Sequence, residues 1–286
     1  MRPTHAEPAR ALFAAIVRGD EDVARGLLEA SPGLARRFAP AAWAPEAGLA
    51  GVDDWSPLQA AIEHGLQALG LDLVDAGADV DHRASNGRGP GHDAFEFGAD
   101  RVLRRLLEDG LTLDAALAAG LGDLEVLGAL VSADPAAADD RATGLEPLGW
   151  ASFGDRPAAI DLLARAGARP TSAHLRMAAS CGHVSAARAL LDLGVDPNGR
   201  DGDSGATALH VAASMRFSAC TVPVVELLLR TNADRRVTDT RGRTPLDLAV
   251  AIAADPDADE ERAAAAAAIE RLLRHEGRAP GGRRGR

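Results

Sequence analysis

The run DGDSGATALH, residues 201–210, holds a serine flanked by Gly202, Asp203 and Gly205. A Gly-Asp-Ser-Gly loop that presents a nucleophilic serine needs a histidine base and an orienting aspartate around the hydroxyl, on an all-β scaffold. His174, His183 and His210 lie close in sequence to Cys181 and Cys220 and offer nitrogen and sulfur to a metal, but their spacing matches no zinc pattern. Asp255, Asp257 and Asp259 alternate as in a calcium loop. The places that should hold the turning glycine and the bidentate glutamate hold Glu260 and Ala266 instead. The chain contains no lysine, which excludes a phosphate loop of the Gly-rich, lysine-bearing type, and no Gly-x-Ser-x-Gly elbow occurs between a strand and a helix. No grouping of base, nucleophile and orienter is readable. The expectation is therefore a non-enzyme with no catalytic residue, cofactor or metal, and a hydrolase using Ser204 is the unfavoured alternative.

The segments around Ser204 decide how that loop is read, and they are periodic. Alanines stand in equivalent places at 15, 61, 94, 118, 151, 178, 212 and 249, with gaps of 46, 33, 24, 33, 27, 34 and 37. Glycine follows four residues on at Gly19, Gly65, Gly98, Gly122 and Gly182, and aliphatic pairs such as Leu27-Leu28, Leu106-Leu107 and Leu190-Leu191 recur further along. Ser56 or Thr244 can cap a helix N-terminus, and Pro57 or Pro245 fits the first helical position, where a missing N–H costs nothing. Leu58, Ala61 and Ile62 share one helical face, and Gly65 can take the left-handed geometry that ends the helix. Leu69, Leu73 and Val74 then line a second helix that Gly77 closes. In this frame Gly202, Asp203 and Gly205 are turn residues ahead of the Thr207 cap.

A helix pair of this size cannot bury both faces alone, so stability must come from stacking neighbours. The unit SPLQAAIEHGLQALGLDLVDAGADVD and its returns, ATALHVAAS, AASCGHVSAARALLDLGVDPN and RTPLDLAVA, resemble the ankyrin repeat, with a period of about 33 residues. The resemblance covers roughly residues 11–275. It implies an all-α solenoid of about eight helix-turn-helix units, preceded by a flexible N-terminus over 1–10 and followed by a disordered Gly/Arg-rich tail over 276–286. It also implies that His210 and His92 bond between turns. The gaps of 24 and 27 predict two junctions without a projecting hairpin. The added residues around Trp43 predict a surface loop, and Gly91, Gly149 and Arg216 depart from the repeat's usual residue types.

The formal charge is −11, and four arginines lie in the final ten residues, so the remaining chain is more acidic still and repels phosphate backbones. Two cysteines form no disulfide framework, the start lacks the apolar run of a secretory signal, and no apolar segment is long enough to cross a membrane. The expectation is a cytoplasmic, monomeric protein that binds neither nucleic acid nor membrane, with the arginine tail aiding solubility.

By resemblance, the function is a protein–protein interaction scaffold that grips a partner protein through the concave groove of the stack. A regulatory subunit that masks or positions a partner enzyme is a version of the same reading. Partner contacts cluster before the Thr/Ser cap and before the helix-ending glycine. Carried over by position, they fall on Trp55, Glu63, His64, Glu96, Phe97, Phe153, Met215 and Arg243.

Overall fold

A computed structural model describes residues 6–39, 54–214 and 220–274. Trp43, Met215, Arg216 and the arginine tail lie outside the described residues. Sixteen α-helices are described and come in eight pairs. They are α1 Ala6–Arg18 and α2 Glu21–Ala30, α3 Pro57–Glu63 and α4 Gln67–Asp75, α5 Pro90–Glu96 and α6 Asp100–Glu108, and α7 Ala115–Leu121 and α8 Leu124–Ala133. The remaining pairs are α9 Pro147–Phe153 and α10 Pro157–Arg165, α11 Ser172–Cys181 and α12 Val184–Asp192, α13 Ala208–Ser214 and α14 Val222–Arg230, and α15 Pro245–Ala253 and α16 Glu260–Arg274. Helix α1 starts ahead of the expected boundary at residue 11, with Glu7 in its first turn, where a carboxylate suits the positive helix end.

The chain divides into two compact units, Met1–Leu117 with Asp140–Glu146, and Ala118–Asp139 with Pro147–Arg286. In the first unit α1, α3 and α5 stack in order, and α2, α4 and α6 stack beside them. In the second, α9, α11, α13 and α15 form one row, and α8, α10, α12, α14 and α16 form the other. The repeat alanines Ala15, Ala61, Ala94, Ala118, Ala151, Ala178, Ala212 and Ala249 are all fully buried. Each lets its row close up, because a larger side chain there would hold neighbouring helices apart.

The glycines expected to end first helices do so in the left-handed region, at Gly19, Gly65, Gly98, Gly122 and Gly182. The pair α9–α10 has Asp155 at that place, with φ 54. Aspartate is one of the few residues besides glycine that visit this backbone region, and Asp155 Oδ1 accepts the Ala186 N–H of the following pair at 2.8 Å. The missing leucine at Gly91 has a packing reason. A Cβ there would lie 2.6 Å from Leu111 and 2.8 Å from Leu117, whose side chains already fill the space.

Side chains link successive turns from one place in the frame, three residues after the helix cap. Gln59 Oε1 accepts the Ser56 N–H at 3.3 Å while Nε2 donates to Arg88 O at 3.2 Å. His210 Nδ1 accepts the Thr207 N–H at 3.2 Å, and Nε2 lies 3.0 Å from Arg243 O. These contacts fix the tautomer with the proton on Nε2. His174 caps its own helix in the same way, 2.9 Å from Thr171 N.

The two shortened junctions, residues 109–114 and 166–171, have no projecting hairpin. At the first, Asp114 takes over the acceptor role of the missing loop carbonyl. Its carboxylate lies 3.1 Å from His92 Nε2 and 2.7 Å from Arg83, and it accepts the Leu117 N–H at 2.8 Å, capping α7. Burial opposes ionisation of Asp114, but the hydrogen bond and charge of His92, the Leu117 N–H and Arg83 outweigh it, holding the carboxyl at about 2. A carboxyl with a depressed folded pKa contributes stability in full above its unfolded value, about 4, and loses it as pH falls toward 2. Asp114→Asn should therefore lower stability near neutral pH by about 1–2 kcal/mol and flatten the acid limb between pH 4 and 2. Urea denaturation across that range checks it, and an unaltered acid limb would refute the assignment.

Candidate protein-binding surface

Four of the expected contact residues gather at one edge of the first unit. Glu63 ends α3 and His64 caps it, while Glu96 ends α5 and Phe97 caps it. All four are exposed, and Phe97 at 49% is the most exposed aromatic among the described residues. The backbone at this edge is fixed, since His64 N–H donates to Ala60 O at 3.1 Å and Phe97 N–H to Asp93 O at 2.9 Å.

Beneath the edge lies a polar network that sequence reasoning missed. Asp93 is 3% exposed and accepts from Gln59 Nε2 at 2.9 Å and from Arg88 Nε at 3.0 Å. Arg88 also pairs with Glu96. Burial raises the Asp93 pKa against the opposing pull of Arg88 and Gln59. At Glu63 partial desolvation raises the pKa, the Asp93 charge adds to it, Arg88 opposes it and the Glu96 charge adds again. Three carboxylates thus share one guanidinium, so the edge that carries Phe97 is negative and held in place. A signal was present in the sequence, because Gln59 occupies the frame position of His92 and His210. The network itself depends on Gln59 meeting Asp93, 34 residues further along the chain.

The other expected contacts are placed differently. Trp55 is only 8% exposed and cannot serve as a protruding anchor. Its carbonyl accepts the Ala39 N–H at 2.8 Å, and Ala39 O accepts the Asp54 N–H at 3.0 Å, an antiparallel bridge that draws the indole inward. Phe153, in the second unit, is half-buried at the end of α9. Arg243, also in the second unit, is exposed but tied to Asp239, with Nε 2.9 Å from Oδ2. The Arg243 N–H, together with its side chain and the Arg241 N–H, overcomes burial and holds the Asp239 carboxyl at about 2.

Ser204, His210, Asp255 and Asp259 make local or turn-to-turn hydrogen bonds. Ser204 Oγ donates to Asp201 Oδ2 at 2.6 Å and accepts the Ala206 N–H at 3.2 Å, within a turn. Both ring nitrogens of His210 are engaged elsewhere. Asp255 Oδ1 accepts the Asp257 N–H, and Asp259 Oδ1 accepts the Arg262 N–H in the first turn of α16. No disulfide joins Cys181 and Cys220, and burial raises the pKa of Cys181. Among the described residues no group of His, Cys, Asp and Glu is arranged to hold a metal ion, and no helix is long and apolar enough to cross a membrane.

Rows of short helix pairs, joined by turns and linked side chain to carbonyl, define a helical repeat protein built to present a surface. Residues 175–254 match the family model for ankyrin repeats in three copies. Residues 175–254 are thus ankyrin repeats, and repeats of this kind form protein-interaction domains. The chain is 45% identical over 84 residues to zinc finger CCCH domain-containing protein 50 of Oryza sativa subsp. japonica, covering 29% of this chain and 13% of that protein. It is 45% identical over 75 residues to zinc finger CCCH domain-containing protein 24 of the same plant, covering 26% of this chain and 10% of that protein. The chain thus spans only a small part of the curated relatives it matches.

Proposed function

We propose that this chain is a non-catalytic, cytoplasmic scaffold that binds a partner protein through the first-helix edge carrying Glu63, His64, Glu96 and Phe97. The observation that carries the reading is the exposed Phe97 ring beside carboxylates that a single buried-side arginine holds in place. An aromatic fixed at a helix end loses little conformational freedom on contact, and such residues dominate interface energetics. Masking or positioning a partner enzyme would use the same edge.

Phe97→Asp should abolish capture of a partner by the immobilised protein while leaving the helical circular dichroism intact, because nearly half of the ring already meets water. Undiminished capture would reject this edge as the binding surface.

A further inference from the structure

A second recess lies on the other helix row of the first unit, away from the residues assigned above. It is an open cleft of about 470 Å³ between α2 and α4, lined by Arg25, Leu28, Glu29, Pro32, Asp72, Asp75 and Ala76. Leu28, Pro32 and Ala76 supply apolar wall, and the rim carries three carboxylates against one guanidinium. That guanidinium is already committed. Arg25 Nε lies 2.7 Å from Asp72 Oδ2, and its NH2 lies 2.5 Å from Glu21 Oε2. Asp75 Oδ1 lies 2.8 Å from Arg105, and the Asp75 side chain remains exposed at the rim. Glu29 is exposed and enters no ion pair among the described residues. The first unit as a whole holds 21 acidic and 12 arginine residues, whereas the second is close to balance with 21 and 19.

We infer that this cleft is a docking site for an arginine side chain presented by a basic segment of a partner protein. The alkyl stem would lie along Leu28 and Pro32, where an amphipathic side chain buries its methylenes while its charged head stays wet. The guanidinium would meet Glu29 and Asp75, and its planar fork suits two carboxylates better than the point charge of lysine. The surplus negative charge of the first unit steers such a segment inward at low salt. This site is independent of the edge at Phe97, so one protein has two separable contacts for a partner.

The probe is a fluorescein-labelled Arg-Leu-Arg-Gly-Arg peptide titrated against the full chain and followed by anisotropy. Saturable binding is expected, at least tenfold weaker in Glu29→Arg, weaker when lysine replaces each arginine, and unchanged in Phe97→Asp. Glu7→Arg alters the charge of the same unit outside the cleft and should lower affinity by less than threefold. No saturable binding would overturn the proposal, as would equal losses in Glu29→Arg and Glu7→Arg, which would mark an effect of net charge. Loss only in Phe97→Asp would assign the peptide to the other edge and overturn it equally. Failure of the Phe97→Asp capture experiment would leave this test unaffected.

Discussion

Gly87→Ala should destabilise the protein by about 3 kcal/mol, the sum of a strained backbone and an overpacked contact. Gly87 has φ +77, a region that costs a residue with a Cβ about 1–2 kcal/mol. A Cβ built there would stand 1.9 Å from Ala142 O and 2.7 Å from its carbonyl carbon. Both are backbone atoms, so no rotamer change relieves the clash, and the turn closed by the Ala84 N–H to Arg88 O bond at 2.9 Å must move away from residues 140–146. Gly98→Ala supplies the comparison, with φ +65 and nothing within 4 Å of the added methyl. It should cost only about 1 kcal/mol. Chemical denaturation of the two variants separates strain from contact, and equal midpoints would show that the approach to Ala142 carries no energy.

The second large effect is at His210. His210→Ala removes the acceptor for the Thr207 N–H and the partner of the Thr207 hydroxyl, which lies 2.9 Å from Nδ1. Thr207 is buried, so leaving these groups unpaired should cost about 3 kcal/mol. His210→Gln should cost about 1 kcal/mol, within the range of a single net hydrogen bond, because Gln59 already makes the equivalent pair of bonds five units earlier. The two variants also differ from the parent in pH response. Burial lowers the His210 pKa below its ordinary value, against the bond to Arg243 O. The folded protein therefore resists the proton that the unfolded chain accepts. This contribution to stability is complete above about pH 6.5 and is lost as pH falls toward the depressed folded value. The melting temperature of the parent should fall between pH 7 and pH 5 more steeply than that of His210→Gln. Parallel curves would remove His210 from the titrating groups.

The helix pairs were legible in the sequence because each obeys local physics: a cap, an apolar face, a left-handed stop and a second apolar face. The two short junctions were legible from spacing alone, since the connecting residues are too few to build a hairpin. The geometry at Asp155 was not legible, because it depends on a side chain reaching Ala186 in the following pair. The burial of Trp55 was not legible, because an indole ahead of a Ser-Pro cap gives no sign that Ala39 will pair with its backbone. The Gln59–Asp93–Arg88 network and the cleft between α2 and α4 join residues far apart in sequence, and periodicity carries no information about which charges meet.

Where His210 reaches across to the next turn it meets an amide oxygen, which holds no exchangeable charge in water at any ordinary acidity. Where His92 reaches across a shortened junction it meets Asp114, an acceptor that a single proton can neutralise. The His92 rung therefore loses a charged acceptor in acid, whereas the acceptor of the His210 rung stays as it is. In strong acid the backbone amides around residues 109–117 should exchange with deuterium earlier than those around Arg243, so that this joint of the first unit loosens first.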